Sequence, residues 1–103
     1  MATNDQTIGL IETRGIVALT AGTEAMMKTA DVTCVAIERV ASGYFAVAVE
    51  GSLAAVRQAL EAGKAAVQKH GEVRSSAIFP KPSGEAMKHL DMSFRIRSAE
   101  VSR

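Results

Sequence analysis

The chain has 103 residues, 48% of them hydrophobic and 22% charged, with twelve basic side chains against eleven acidic ones. That composition supports a single domain with a modest core. It argues against disorder, and against nucleic-acid binding driven by charge, which needs a basic excess or stripe. One cysteine, Cys34, excludes an intramolecular disulfide framework and a multi-cysteine zinc site.

In chain order, the polar residues 1–6 read as a flexible N-terminus without the apolar run of a signal peptide. No apolar stretch reaches the roughly 20 residues that a membrane-spanning helix needs. The expectation is a soluble, intracellular protein. Residues 7–13 alternate as a strand, and Gly15 breaks the pattern. Ile16, Leu19, Met26, Met27 and Ala30 then form one helical face, with Gly22-Thr23 as its weak point. Residues 32–40, rich in β-branched side chains, predict a second strand. Ala41-Ser42-Gly43 predicts a hairpin turn into a third strand over 44–50.

In that third strand Phe45, Val47 and Val49 share one face, and Tyr44, Ala46 and Ala48 share the other. The sheet therefore has a bulky face and a small one. Which of them meets the helices is left open by the pattern. Ser52 is a natural N-cap for the most regular helix of the chain, marked by Leu53, Val56, Leu60, Gly63 and Val67 and stopped at Gly71. Residues 72–79 predict a fourth strand, ended by Pro80-Lys81-Pro82. Ser83 can cap a short helix to Leu90. The predicted class is α+β, in the ferredoxin-like order β-α-β-β-α-β with a short C-terminal helix and a tail over 91–103.

Catalytic chemistry is hard to find. His70 and His89 have no metal-binding spacing and read as exposed helix-end residues. Cys34, inside an apolar run, reads as a small buried hydrophobe. Glu12, Glu38 and Glu50 read as strand-end carboxylates on solvated faces or in ion pairs. There is no P-loop and no dinucleotide fingerprint. RNA-recognition modules share this order of elements, but they stack bases on aromatics of one sheet face. Here Tyr44 and Phe45 are adjacent and so point opposite ways. Small-ligand-binding regulatory domains also share the fold, which alone does not decide between them and other functions. No catalytic residue, cofactor or metal is assigned.

Six segments carry a more specific signal. Gly9-Leu10-Ile11-Glu12-Thr13-Arg14-Gly15 resembles the opening strand and turn of bacterial microcompartment shell proteins, the BMC-domain family. Glu24-Ala25-Met26-Met27-Lys28, Glu38-Arg39-Val40-Ala41-Ser42-Gly43 and Glu50-Gly51-Ser52-Leu53-Ala54-Ala55-Val56 resemble later family segments, in order. Glu61-Ala62-Gly63 follows, and then Gly71-Glu72-Val73 with Ile78-Phe79-Pro80-Lys81-Pro82. Each is weak alone, and the ordered set is specific. The resemblance extends over residues 7 to about 90 and implies one BMC shell domain there.

What the resemblance implies is a structural protein of the bacterial cytoplasm and not an enzyme. Six copies would form a flat tile with a narrow central pore. Tiles would join edge to edge, and with other shell hexamers, trimers and pentamers, around encapsulated enzymes, themselves candidate partners. Nucleic acid and membrane are not expected partners. By the same resemblance Ala41, Ser42 and Gly43 line the pore, and Lys28 and Lys81 lie at the tile edge. Many relatives have glycine at the position of Ala41, and arginine is common at that of Lys81. Lysine lacks the planar fork of arginine, so its edge contact would be weaker. Arg14, Arg39 and Arg74 carry no assigned role.

Overall fold

β1 (Thr7–Arg14), α1 (Ile16–Thr29), β2 (Thr33–Ala41), β3 (Tyr44–Gly51), α2 (Leu53–Gln68) and β4 (Glu72–Pro80) follow one another in a computed structural model that describes residues 7–81. The flexible terminus, the helix over 83–90 with His89, and the tail expected from the sequence lie outside the described residues. The β-α-β-β-α-β order is the expected one. The strands form a single sheet in the order β2-β3-β1-β4, with every neighbouring pair antiparallel.

The bulky face is the one that meets the helices. Ile11, Val47 and Val49 of the central strands pack with Leu19 and Met26 of α1 and with Val56, Ala59 and Leu60 of α2. Cys34 is half-buried against this core, as a small apolar residue would be. On the opposite face Ile8, Leu10, Val40, Ala46 and Ala48 form a second buried cluster, joined by Tyr44 and Phe79.

The helices depart from the sequence pattern in an instructive way. α1 buries Ala18, Leu19, Gly22 and Met26. Ile16 and Met27, assigned to its apolar face, are exposed. Met27 lies about 100° around the helix from Met26, so only one of the two faces the sheet. Gly22 is not a weak point but the site of closest approach. A Cβ there would lie 2.5 Å from Val67 Cγ2 and 3.3 Å from the Gly63 carbonyl oxygen. A Cβ on Gly63 would lie 2.7 Å from Met26 Cγ and 2.9 Å from Ile11 Cδ1. Two glycines thus let α1 and α2 pack backbone to backbone.

Ser52 caps α2 as predicted, its hydroxyl accepting a hydrogen bond from the Ala55 N–H at 3.1 Å. Leu53, the first residue of the helix, is exposed. Gly71 follows α2 without a positive φ, so it is not the left-handed stop expected of it. Its small size is needed instead: a Cβ would meet the Arg14 carbonyl oxygen at 2.6 Å.

Candidate functional site

The hairpin between β2 and β3 is the tightest turn of the sheet. Ala41 pairs with Tyr44, which leaves Ser42 and Gly43 as the two-residue connection. Gly43 has φ 80, the value that a type II turn takes at its third position and that glycine adopts without a Cβ penalty. Ala41 needs no such freedom, because it ends β2 in extended pairing. Its methyl group is therefore compatible with the turn. Ser42 and Gly43 are exposed and Ala41 is half-buried.

The turn is also clamped from the side. The Gly15 N–H donates to the Gly43 carbonyl oxygen at 2.8 Å, which ties the β1–α1 corner to the hairpin. Two strands and this bond fix the backbone, while the Ser42 side chain projects from a fixed frame with a neutral hydroxyl. Just behind the turn the Arg74 guanidinium carbon lies 4.4 Å from the centroid of the Tyr44 ring, and that of Arg14 lies 5.9 Å away. Both are within the range of a cation–π contact. Arg14 and Arg74, assigned no role from the sequence, thus buttress the first residue after the turn.

Lys28 and Lys81 lie at the other end of the sheet. Thr7 pairs with both Gly51 and Pro80, so the chain leaves β4 at the end farthest from the turn. The Lys81 Nζ sits 2.8 Å from Glu50 Oε2, both side chains being about a quarter exposed. Lys28 is exposed in the last turn of α1, where a cation complements the carbonyl end of the helix. The connection that follows passes so close to Gly51 that a Cβ there would lie 2.9 Å from the Asp31 carbonyl oxygen. The structure therefore gathers Lys28 and Lys81 at one end and sets Ala41, Ser42 and Gly43 at the opposite one. An eight-residue strand, about 26 Å at roughly 3.3 Å per residue, separates them.

Glu50 has the ion pair expected of it. Glu12 does not behave as a strand-end carboxylate: it lies within β1 and is only 5% exposed. The Ser75 hydroxyl donates to its Oε1 at 2.8 Å, and its Oε2 is buried without a hydrogen-bond partner. It shares its face of the strand with the buried Ile8 and Leu10, and that alternation is the signal the strand-end reading passes over. His70 is exposed beyond α2. Among the described residues no group of three or more His, Cys, Asp or Glu is placed to hold a metal ion. No helix among them is long and apolar enough to cross a membrane.

The family model of the BMC domain matches residues 7–82, a span that contains both the turn and the two lysines. The chain belongs to the BMC-domain family. It is 38% identical over 90 residues to the bacterial microcompartment shell protein EutM of Salmonella typhimurium, covering 87% of this chain and 94% of that one. It is 36% identical over 85 residues to the shell protein PduA of the same organism, covering 82% and 90% of the two chains. A crystal structure of a microcompartment protein from Desulfitobacterium hafniense superposes with a TM-score of 0.69 at 30% identity. That match covers 78% of this BMC domain chain and 43% of the Desulfitobacterium chain, so this chain spans less than half of that protein.

Proposed function

We propose that this BMC domain is a shell subunit of a bacterial microcompartment, assembling as a cyclic hexamer with a central pore and tiling edge to edge through its outer rim. The observation that carries this is the polarity of the molecule. The neutral, backbone-clamped turn stands at one end of the sheet, and the lysines stand at the other. With the turn end toward a six-fold axis, Ala41, Ser42 and Gly43 of six copies ring the opening, and Lys28 and Lys81 fall on the perimeter. Six serine hydroxyls offer hydrogen bonds without formal charge, which suits small polar metabolites. Lys28, exposed in the last turn of α1, is the edge contact that can reach a neighbouring tile. Lys81 acts there together with Glu50, to which it is already bonded. The Cα trace measures 40 × 29 × 14 Å, thin enough for a plate-like tile.

Light scattering at micromolar concentration tests the ring directly: a hexamer or a larger sheet is expected, and a stable monomer overturns the reading. Electron microscopy of Lys28→Ala tests the edge. Hexamers are expected to persist while sheets are lost or fragmented, since about 1 kcal/mol per charge-assisted bond is repeated around every tile. Unaltered sheets at several salt concentrations would remove Lys28 from the edge.

A further inference from the structure

The face of the sheet turned away from the helices carries a charged cluster at its turn end. The pairing of β4 with β1 breaks at Arg74, opposite the step from Glu12 to Thr13. Val73 packs against the core on the helix side, while Ser75 reaches Glu12 on the other face. Strict alternation would give Val73 and Ser75 one face and Arg74 the other. The bulge instead turns Arg74 to the face of Ser75, and its guanidinium carbon comes to lie 4.4 Å from the centroid of the Tyr44 ring. Arg14, directly opposite Tyr44 in β1, brings a second guanidinium to 5.9 Å from the same centroid. Two cations thus share one aromatic ring. Among the described residues Arg14 forms no ion pair, not even with Glu72, its exposed register partner in β4. Glu12 and Glu38 stand one row farther from the turn, and Glu12 is bonded to Ser75.

We infer that Arg14, Arg74 and Tyr44 form a binding site for a small oxyanion, a carboxylate or a phosphate group. The ring attracts each cation but cancels none of its charge, and two like charges drawn to one ring repel each other. An anion between them relieves both. Contact with the ring also leaves N–H donors of each guanidinium to an oxyanion, which the planar fork can meet two oxygens at a time. The site is within reach of solvent, since Arg14 is exposed and Arg74 and Tyr44 are half-buried. Three hydrogen-bonded strands, β3, β1 and β4, hold it in place. The site is complete within one subunit and does not need the proposed ring. Given that ring, it adds a second selectivity to the neutral opening. Tyr44 follows Gly43 directly, so six such sites would surround the opening on one side of the tile only. They would raise the local concentration of anionic metabolites at that mouth.

The chain has one tyrosine and no tryptophan, so its intrinsic fluorescence reports on Tyr44 itself. Inorganic phosphate and sodium acetate are titrated separately at constant ionic strength, with chloride as the balancing anion. A saturable change in tyrosine emission is expected with one of them or with both, and the anion that responds names the class. Arg14→Gln, at an exposed position, and Arg74→Gln are each expected to raise the midpoint about tenfold, the loss of one charged hydrogen-bonding partner. Arg74→Lys keeps the charge without the fork and is expected to fall between Arg74→Gln and the unaltered chain. A response to both anions that is absent or merely linear would overturn the site, as would midpoints left unchanged by both glutamine variants. Light scattering on the same samples reads the ring separately. A monomer that still binds the anion would overturn the ring alone, and a hexamer that does not bind it would overturn the site alone.

Discussion

Gly22 in the seam between the helices and Gly43 in the hairpin turn are both glycine for reasons that do not overlap. Gly22 has ordinary helical backbone and no room: its missing Cβ would strike Val67 and press on the Gly63 carbonyl. Gly43 has unlimited room, with no atom within 4 Å of its missing Cβ, and an uncommon backbone at φ 80. One position is constrained by its neighbours and the other by its own torsion angle. The seam therefore resists any added volume, whereas the turn resists only a change of backbone and is indifferent to the side chain beside it. A fold arranged in this way can alter what its turn presents without disturbing what holds it together.

The comparison is tested most severely in the seam. Gly22→Val adds a β-branched side chain where even one carbon does not fit, and the loss expected is about 3 kcal/mol, read as a lower urea midpoint. A near-native midpoint would mean that the helices can move apart freely. Gly43→Ala should cost less, about 1 kcal/mol for an L-residue held at positive φ, and should leave the assembly state by light scattering unchanged. If its loss equalled that of Gly22→Val, the distinction between the two glycines would fall.

Glu12→Met asks whether burial alone makes a position intolerant. Its carboxylate is buried with one oxygen lacking a partner, and Ser75, which bonds the other, is exposed and can turn to water. An apolar chain of similar size is expected to leave stability within about 1 kcal/mol of wild type or to raise it. A loss of several kcal/mol by chemical denaturation would show that the carboxylate is held by more than Ser75.

Ser42→Leu should have the smallest effect on folding, close to none in a thermal melt, because the side chain stands in solvent. In the proposed ring its consequence would belong to transport. Six leucines around one axis would make an apolar constriction that resists wetting, so shells whose pores come mainly from this subunit should exchange polar metabolites more slowly. Equal flux through mutant and wild-type shells would take Ser42 out of the working pore. Failure of the mutant to assemble would mean that the turn belongs to the packing after all.

Much of the fold was legible because it is written in short-range periodicity. The alternation along β3 separated a bulky face from a small one, and Ser52 announced the start of α2. Ala41-Ser42-Gly43 announced the hairpin, and its placement opposite the two lysines followed once the strands were in register. What was not legible depends on distance in three dimensions. Gly22 looked like a helix defect because a helix-breaking tendency is a local property, whereas its benefit comes from Gly63 and Val67, some forty residues away in the chain. Gly71 looked like a helix stop for the same reason, although the Arg14 carbonyl is what requires it to be small. Glu12 was assigned to solvent because carboxylates usually are, even though it sits in register with Ile8 and Leu10. The stacking of Arg74 on Tyr44 joins β4 to β3 across β1, and no spacing along the chain encodes it.

The irregularities of strand pairing have a consequence for the subunit before it meets others. β2 slips register between Cys34 and Ala36 and again between Arg39 and Ala41, and β4 slips at Arg74 opposite the step from Glu12 to Thr13. The pairing of β1 with β3, in the middle of the sheet, runs without a break. All three bulges thus fall on the two strands with an open edge. A long, flat edge is a template for aggregation, since any other extended chain can add its backbone to it. Bulges twist the edge and interrupt the row of free amide and carbonyl groups. The free chain is thereby steered away from cross-β polymers.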